Sequence, residues 1–345
     1  MNSKLKKIPT NIITGFLGVG KTSSILHLLK HKPENERWAV LVNEFGEIGI
    51  DGSLMQGQYS ENSGVFIQEV PGGCMCCAAG LPMQVALNQL LSKAKPDRLL
   101  IEPTGLGHPV EILQILSDKF YQQLLQVEKI LTLVDARNLT DSRYTEHDTF
   151  NQQISIADIV VGNKRDLYQG GETSMLENYV QQVIHRIDGK AIESNITINF
   201  TEQGRINPQW LQGKTAAIAR HAHHHHHSSN KPDLNPLDLN TKDIPEVGYI
   251  KAENDGEGFS SIGWRFDSHK VFNRKKLHVF LTGLKAERMK AVFITEQGIF
   301  GYNLTSDALT EIELDEAMES RVEIIAYDRE PQWQEDLLAC KESSE

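Results

Sequence analysis

The first part of the chain is a succession of short, almost uninterrupted apolar runs: Ile8 to Thr14, Trp38 to Val42, Gly64 to Val70, Arg98 to Glu102, Lys129 to Asp135 and Ile159 to Gly162. Runs of this length, rich in β-branched residues and without polar alternation, predict strands buried on both faces, as in a parallel sheet. Helical spacing fills the intervals at Lys21 to Lys30, Leu81 to Lys95, His108 to Leu116, a segment ending over Ile154 to Asp158, and Glu172 to Arg186. In the second of these, Leu81, Val85, Leu87, Leu90 and Leu91 make the expected core face. A strand around Ala191 to Ile198 closes the series. Alternating strands and helices imply an α/β unit, a mostly parallel sheet flanked by helices.

The pattern changes twice after that. Residues 213–244 carry His221, five successive histidines from His223 to His227, Ser228, Ser229, Pro232 and Pro236, the composition of a flexible linker. From Pro245 onward short strands appear at Gly263 to Phe266, Met289 to Ile294, Gly298 to Tyr302 and Arg321 to Tyr327, with helices at Arg274 to Leu284 and Gln332 to Cys340. The expected organisation is an α/β domain over 1–212, a His-rich linker over 213–244, and a smaller α+β C-terminal domain over 245–345.

Candidate chemistry lies in the loops that follow the apolar runs. Gly15-Phe16-Leu17-Gly18-Val19-Gly20-Lys21-Thr22 joins the first strand to the first helix with the spacing of a phosphate-binding P-loop. Its backbone N–H groups can surround a polyphosphate, Lys21 can reach the β- and γ-phosphates, and the Thr22 hydroxyl can ligate Mg²⁺. After the second strand comes Asn43-Glu44-Phe45-Gly46-Glu47-Ile48-Gly49, an acidic, glycine-rich loop delivered to the same sheet edge and a candidate switch. Glu102-Pro103-Thr104-Gly105 ends another strand in an acid that can hold Mg²⁺ through water or position the attacking water, with Gly105 letting backbone approach the γ-phosphate.

Cys74, Cys76 and Cys77 follow the third strand, whereas the chain has four cysteines in all. Such crowding is a poor disulfide framework and a good soft-metal site, supplying two or three thiolates to Zn²⁺, Co²⁺ or Cu⁺. Glu44, Glu47 and His108 are candidates for a missing ligand. Cys340 reads as an ordinary thiol. Asn163-Lys164-Arg165-Asp166 follows the sixth run. A carboxylate at Asp166 can accept two hydrogen bonds from guanine that adenine cannot offer, Asn163 can serve the other edge of the base, and the Lys164 stem can lie along its face. GTP is therefore favoured over ATP.

Charge narrows the partners. A net charge of −11 argues against nucleic acid, which draws its affinity from clustered Lys and Arg. No apolar window approaches the roughly 18 to 20 residues of a membrane span, and the basic N-terminus runs into the first strand without a signal core, so a cytoplasmic protein is expected.

The P-loop, the Asn43 to Glu47 loop, Gly73-Cys74-Met75-Cys76-Cys77, Glu102 to Gly105 and Asn163 to Asp166, in that order, resemble the CobW-type metallochaperone GTPases of the SIMIBI class. Their wording is most similar to the YeiR-like zinc-binding GTPases. Val42 departs from the many relatives that carry an acid at that position, which removes one metal ligand and leaves Glu47 available. The resemblance implies slow hydrolysis of GTP to GDP, with Mg²⁺ as cofactor. It also implies Zn²⁺ or a similar ion at Cys74, Cys76 and Cys77, delivered to a client metalloprotein. Gly15 to Thr22 and Gly105 would hold phosphates, Lys21, Thr22 and Glu102 would serve hydrolysis, and Asn163, Lys164 and Asp166 would read the base. A homo-oligomer is compatible with this reading. The alternative is a zinc store or sensor in which nucleotide is a structural ligand and the His tract holds metal. A small-molecule kinase is disfavoured by the guanine-reading motif.

Overall fold

The computed structural model describes residues 6–42, 63–70, 81–188, 196–217, 244–245, 248–256, 258–305, 308–314, 317 and 319–342. They belong to two compact units.

The first unit is organised on a sheet with strand order β3-β2-β4-β1-β6-β7-β8. Its strands are β1 (Ile8–Gly15), β2 (Trp38–Val42), β3 (Val65–Glu69), β4 (Arg98–Glu102), β5 (Leu125–Val127), β6 (Leu131–Val134), β7 (Ile159–Gly162) and β8 (Thr197–Phe200). β1 pairs in parallel with β4, β4 with β2, β6 with β1 and with β7, and β7 with β8. Every residue of β2, β6 and β7 is buried, which is why these runs carry no polar alternation. β5 and β6 both pair with β1, at Ile8–Thr10 and Ile13–Gly15 respectively. At the break between them the Asn11 amide donates to the carbonyls of Lys129 (2.9 Å) and Leu211 (2.8 Å), satisfying backbone oxygens the ladder leaves open.

Helices α1 (Lys21–Lys30), α2 (Leu81–Ala94), α3 (Pro109–Leu116), α4 (Lys119–Leu124), α5 (Asp148–Ser155) and α6 (Glu172–Asp188) alternate with the strands. On α2 the buried face is Met83, Ala86, Leu87, Leu90 and Ala94, spaced i, i+3, i+4, i+7, i+11. Val85, expected in that face, is 48% exposed, because two residues from Met83 or Leu87 along a helix turns its side chain well away from the stripe. β8 takes in Thr197 and Ile198 of the strand expected at Ala191 to Ile198 and runs on to Phe200; residues 191–195 lie outside the described residues.

The second unit is a six-stranded antiparallel sheet, order β13-β12-β11-β14-β10-β9. Its strands are β9 (Tyr249–Gly256), β10 (Phe259–Phe266), β11 (Arg288–Thr295), β12 (Gly298–Leu304), β13 (Leu309–Leu314) and β14 (Ser320–Ala326). Alternate residues Ile262, Trp264, Phe266, Met289, Ala291, Phe293, Val322 and Ile324 form one core. The same cluster takes in Leu277 and Leu281 of α7 (Arg274–Gly283) and Trp333 and Leu337 of α8 (Trp333–Ala339). The period of two sends these side chains to one face, and the two helices cover it. Cys340 follows α8, buried, with its thiol 3.2 Å from the Asp336 carbonyl; burial pushes its pKa up to about 11, the behaviour of an inert thiol.

Candidate nucleotide site

The parallel register brings the carboxyl ends of β1, β4, β6 and β7 to one edge of the sheet: Val42 lies beside Glu102, Gly15 beside Leu133, and Val134 beside Gly162. The Trp38 N–H donates to the Gly64 carbonyl at 2.9 Å, start to start, so β3 also ends toward this edge.

The loop between β1 and α1 anchors itself with apolar side chains. Phe16 is 1% exposed, packed edge-on against Tyr144, His147 and Phe150 at centroid distances of 5.2, 4.9 and 5.8 Å. Leu17 and Val19 are buried as well. The side chains of Phe16, Leu17 and Val19 thus fasten the loop to the core. Gly20 has φ +95°, and a Cβ there would stand 2.6 Å from the Asn163 amide nitrogen, so only glycine fits.

Lys21 is buried, its ammonium donating to the carbonyls of Gly15 (2.9 Å) and Phe16 (3.0 Å). The Thr22 hydroxyl donates to a Glu102 carboxylate oxygen at 2.9 Å across 80 residues of sequence, and Glu102 is 2% exposed. A hydroxyl and a carboxylate converging at a helix start are oxygen donors of the kind Mg²⁺ takes, directly or through water. The two residues singled out for the metal cofactor are thus together, and they fit it.

Gly105 has a packing role in the fold. A Cβ on it would lie 2.9 Å from the Leu17 nitrogen, so its bareness lets the Glu102 loop pack against the P-loop backbone. Gln153 of α5 braces that loop from behind, its amide donating to the carbonyls of Gly105 (3.0 Å) and Gly107 (3.3 Å). His108 caps the start of α3, with Nδ1 3.1 Å from the Gln152 side-chain oxygen, which is the position of a helix-start residue.

Beyond β7 the residues Asn163, Lys164 and Asp166 have different surroundings. Asn163 is 2% exposed; its amide nitrogen donates to the Val19 carbonyl (2.8 Å) and its oxygen accepts from the Gly204 N–H (3.1 Å). It stitches the P-loop to the loop after β8. Lys164 takes φ +58° and brings its ammonium within 3.6 Å of Asp135, a buried carboxylate at the end of β6 that also holds Arg137. Asp166 stands exposed on the short turn that follows.

The loop Thr201-Glu202-Gln203-Gly204 was not singled out from sequence. Arg165 N–H donates to the Thr201 carbonyl (3.1 Å), Gln203 has φ +53°, and a Cβ on Gly204 would meet the Ser24 nitrogen at 2.9 Å. Its only sequence signal was a glycine following a strand end, which many turns share.

Cys74, Cys76, Cys77, Glu44, Glu47 and the His221 to His227 tract lie outside the described residues. Among the described residues no three His, Cys, Asp or Glu side chains come together as a metal site, and no helix is long and apolar enough to cross a membrane.

Residues 9–191 match the family model described as CobW/HypB/UreG, nucleotide-binding domain. The chain is 40% identical over 325 residues, 92% of each chain, to a protein of Escherichia coli K12 named zinc chaperone YeiR. It is 30% identical over 188 residues to a protein of Pseudomonas aeruginosa named zinc chaperone CobW, covering 47% of this chain and 50% of the relative. A solved Zn(II)-bound YjiA GTPase from E. coli aligns over 98% of this chain and 100% of its own at 18% identity and a TM-score of 0.43, too slight a likeness to inform the site. With the P-loop, the Thr22–Glu102 contact and the Asn163 stitch at one sheet edge, and a family match over more than half its length, the chain belongs to the CobW/HypB/UreG nucleotide-binding family.

Proposed function

We propose that this protein is a zinc-binding GTPase acting as a metallochaperone, coupling GTP binding and hydrolysis to the loading and release of Zn²⁺ for a client metalloprotein. The observation that carries the nucleotide half of the reading is the Thr22–Glu102 contact at the head of α1. The zinc half is supported by the relative that is 40% identical over 92% of the chain and by the three cysteines after β3.

In this reading the amides of Gly15 to Thr22 bind the phosphates. Lys21 exchanges its two carbonyl partners for the β- and γ-phosphate oxygens, an exchange of neutral acceptors for charged ones. Thr22 and Glu102 hold Mg²⁺, which supplies neutralisation of charge on the phosphates. Water attacks the γ-phosphorus, the bond to the β-phosphate oxygen breaks, and GDP and phosphate leave; Glu102 serves to orient that water. Asn163, Lys164 and Asp166 read guanine, and Asn163 also holds the P-loop in register. Cys74, Cys76, Cys77 and Glu47 take Zn²⁺ as cargo. Ordering of the Asn43 to Glu47 loop by γ-phosphate completes the metal set, and hydrolysis loosens it.

Zn²⁺ affinity, measured by competition with a chromophoric chelator on metal-free protein loaded with Mg²⁺ and either GDP or a non-hydrolysable GTP analogue, tests the coupling. The expected result is at least tenfold tighter binding in the GTP-like form, about 1.4 kcal/mol. Equal affinities would overturn the chaperone cycle in favour of a zinc store with a structural nucleotide.

A further inference from the structure

α1 carries Lys21 and Thr22 at its start and, where it ends, two histidines one turn apart, His27 and His31. Their rings lie 4.3 Å apart between centroids, inclined by 37°. His31 Nδ1 stands 2.7 Å from the His27 carbonyl oxygen. A carbonyl only accepts, so Nδ1 carries the proton and Nε2 keeps its lone pair. A ring nitrogen donating to a backbone carbonyl is the arrangement that orients metal-bound imidazoles.

His27 is half-buried, its Nδ1 enclosed without a hydrogen-bond partner, which leaves Nε2 as the nitrogen an ion can reach. Burial, and after it the neighbouring charges of His31, Arg205 and Lys30, lower the His27 pKa.

We propose that His27 and His31 bind Zn²⁺ through their Nε2 atoms, with water completing the coordination, at a site that uses no residue of the cysteine segment. Two histidines at i and i+4 on one helix face form a bidentate pair for this ion. The carbonyl end of the helix dipole favours a cation there. Lys30 and Arg205 oppose a dication, and a proton on His27 Nδ1 would lack an acceptor, so this site is weaker than a thiolate site and exchanges its metal readily. The inference does not depend on the cysteine reading, since it uses no residue of that segment.

The test uses the full chain with Cys74, Cys76 and Cys77 changed to Ser and with His221 and His223 to His227 changed to Asn, loaded with Mg²⁺ and GDP. Zn²⁺ is titrated against a weak chromophoric chelator. One equivalent of exchangeable zinc is expected, its affinity falling at least about tenfold in His27→Gln or His31→Gln while GDP affinity stays that of the parent. No zinc binding in the parent background, or unchanged binding in the double variant, would overturn the proposal. His31 is exposed at the helix end, so His31→Gln alone decides the matter should His27→Gln disturb folding.

Discussion

The two units bury charge in opposite ways. In the first, Lys21, Glu102, Asp135 and Asn163 are all nearly inaccessible and all lie at the carboxyl edge of one sheet. The loops there take left-handed backbone at Gly15, Gly18, Gly20, Lys164, Gln203 and Gly204. In the second unit the charged groups neutralise one another along the strands: Glu319 accepts from both Arg265 and Arg321, Arg274 pairs with Glu311, and Arg329 with Glu253 and Asp255. Of the left-handed glycines there, Gly258 and Gly298 turn hairpins and Gly248 leads into β9. Convergent polar groups on loops that need left-handed backbone point to a ligand, whereas polar groups that satisfy each other point to architecture.

The contrast can be broken most forcefully in the second core. Leu277 is fully buried between α7 and the sheet, and Leu277→Ala should cost about 3 kcal/mol. Thermal unfolding should report that loss while GTP turnover at low temperature stays that of the parent. Turnover falling with the stability would mean that the second unit contributes to the chemistry.

A smaller but more local effect is expected at Gly20. Its φ of +95° and the 2.6 Å approach of a Cβ to the Asn163 amide make Gly20→Ala strained, by about 2 kcal/mol. Guanine-nucleotide affinity, read by fluorescence titration, should drop about thirtyfold. An affinity within a factor of about three would show that the loop relaxes without loss.

The smallest effect sharpens the comparison through pH. Burial pushes the Glu319 carboxyl up, but its hydrogen bond from Arg265 and the charges of Arg321 and Arg265 outweigh that and hold it below the ordinary 4.5. A depressed carboxylate contributes stability that is complete above the unfolded value and is lost as pH falls through the folded one. Acid unfolding should therefore begin to draw on Glu319 below about pH 4.5. Glu319→Gln should lower neutral-pH stability by about 1 kcal/mol and flatten that acid limb. An unchanged limb would assign the acid sensitivity to other groups.

Local pattern made much of this legible in advance. The buried runs from Ile8 to Gly162 are strands, the Gly15 to Thr22 spacing is a strand-to-helix loop, and Glu102 stands beside Thr22. What escaped were contacts between segments far apart in the chain. Asn163 has a base-edge chemistry in sequence, and the fold adds that its amide donates to the Val19 carbonyl and accepts from the Gly204 N–H. The close approach of Gly105 to Leu17 is likewise a contact that sequence does not display. β5 and β9 are short or polar enough to hide in composition.

The sequence by itself determined the elements, because strand burial and helix amphipathicity leave a period that a single chain displays. It also determined the candidate chemistry, because a phosphate loop and clustered thiols need particular residue types at particular spacings. Only the tertiary structure decided which side chains reach the site and which brace it from behind. A side chain's partner is set by register across strands and by the packing of α1, α5 and the Thr201 to Gly204 loop on one sheet edge, and none of these distances is written in sequence separation.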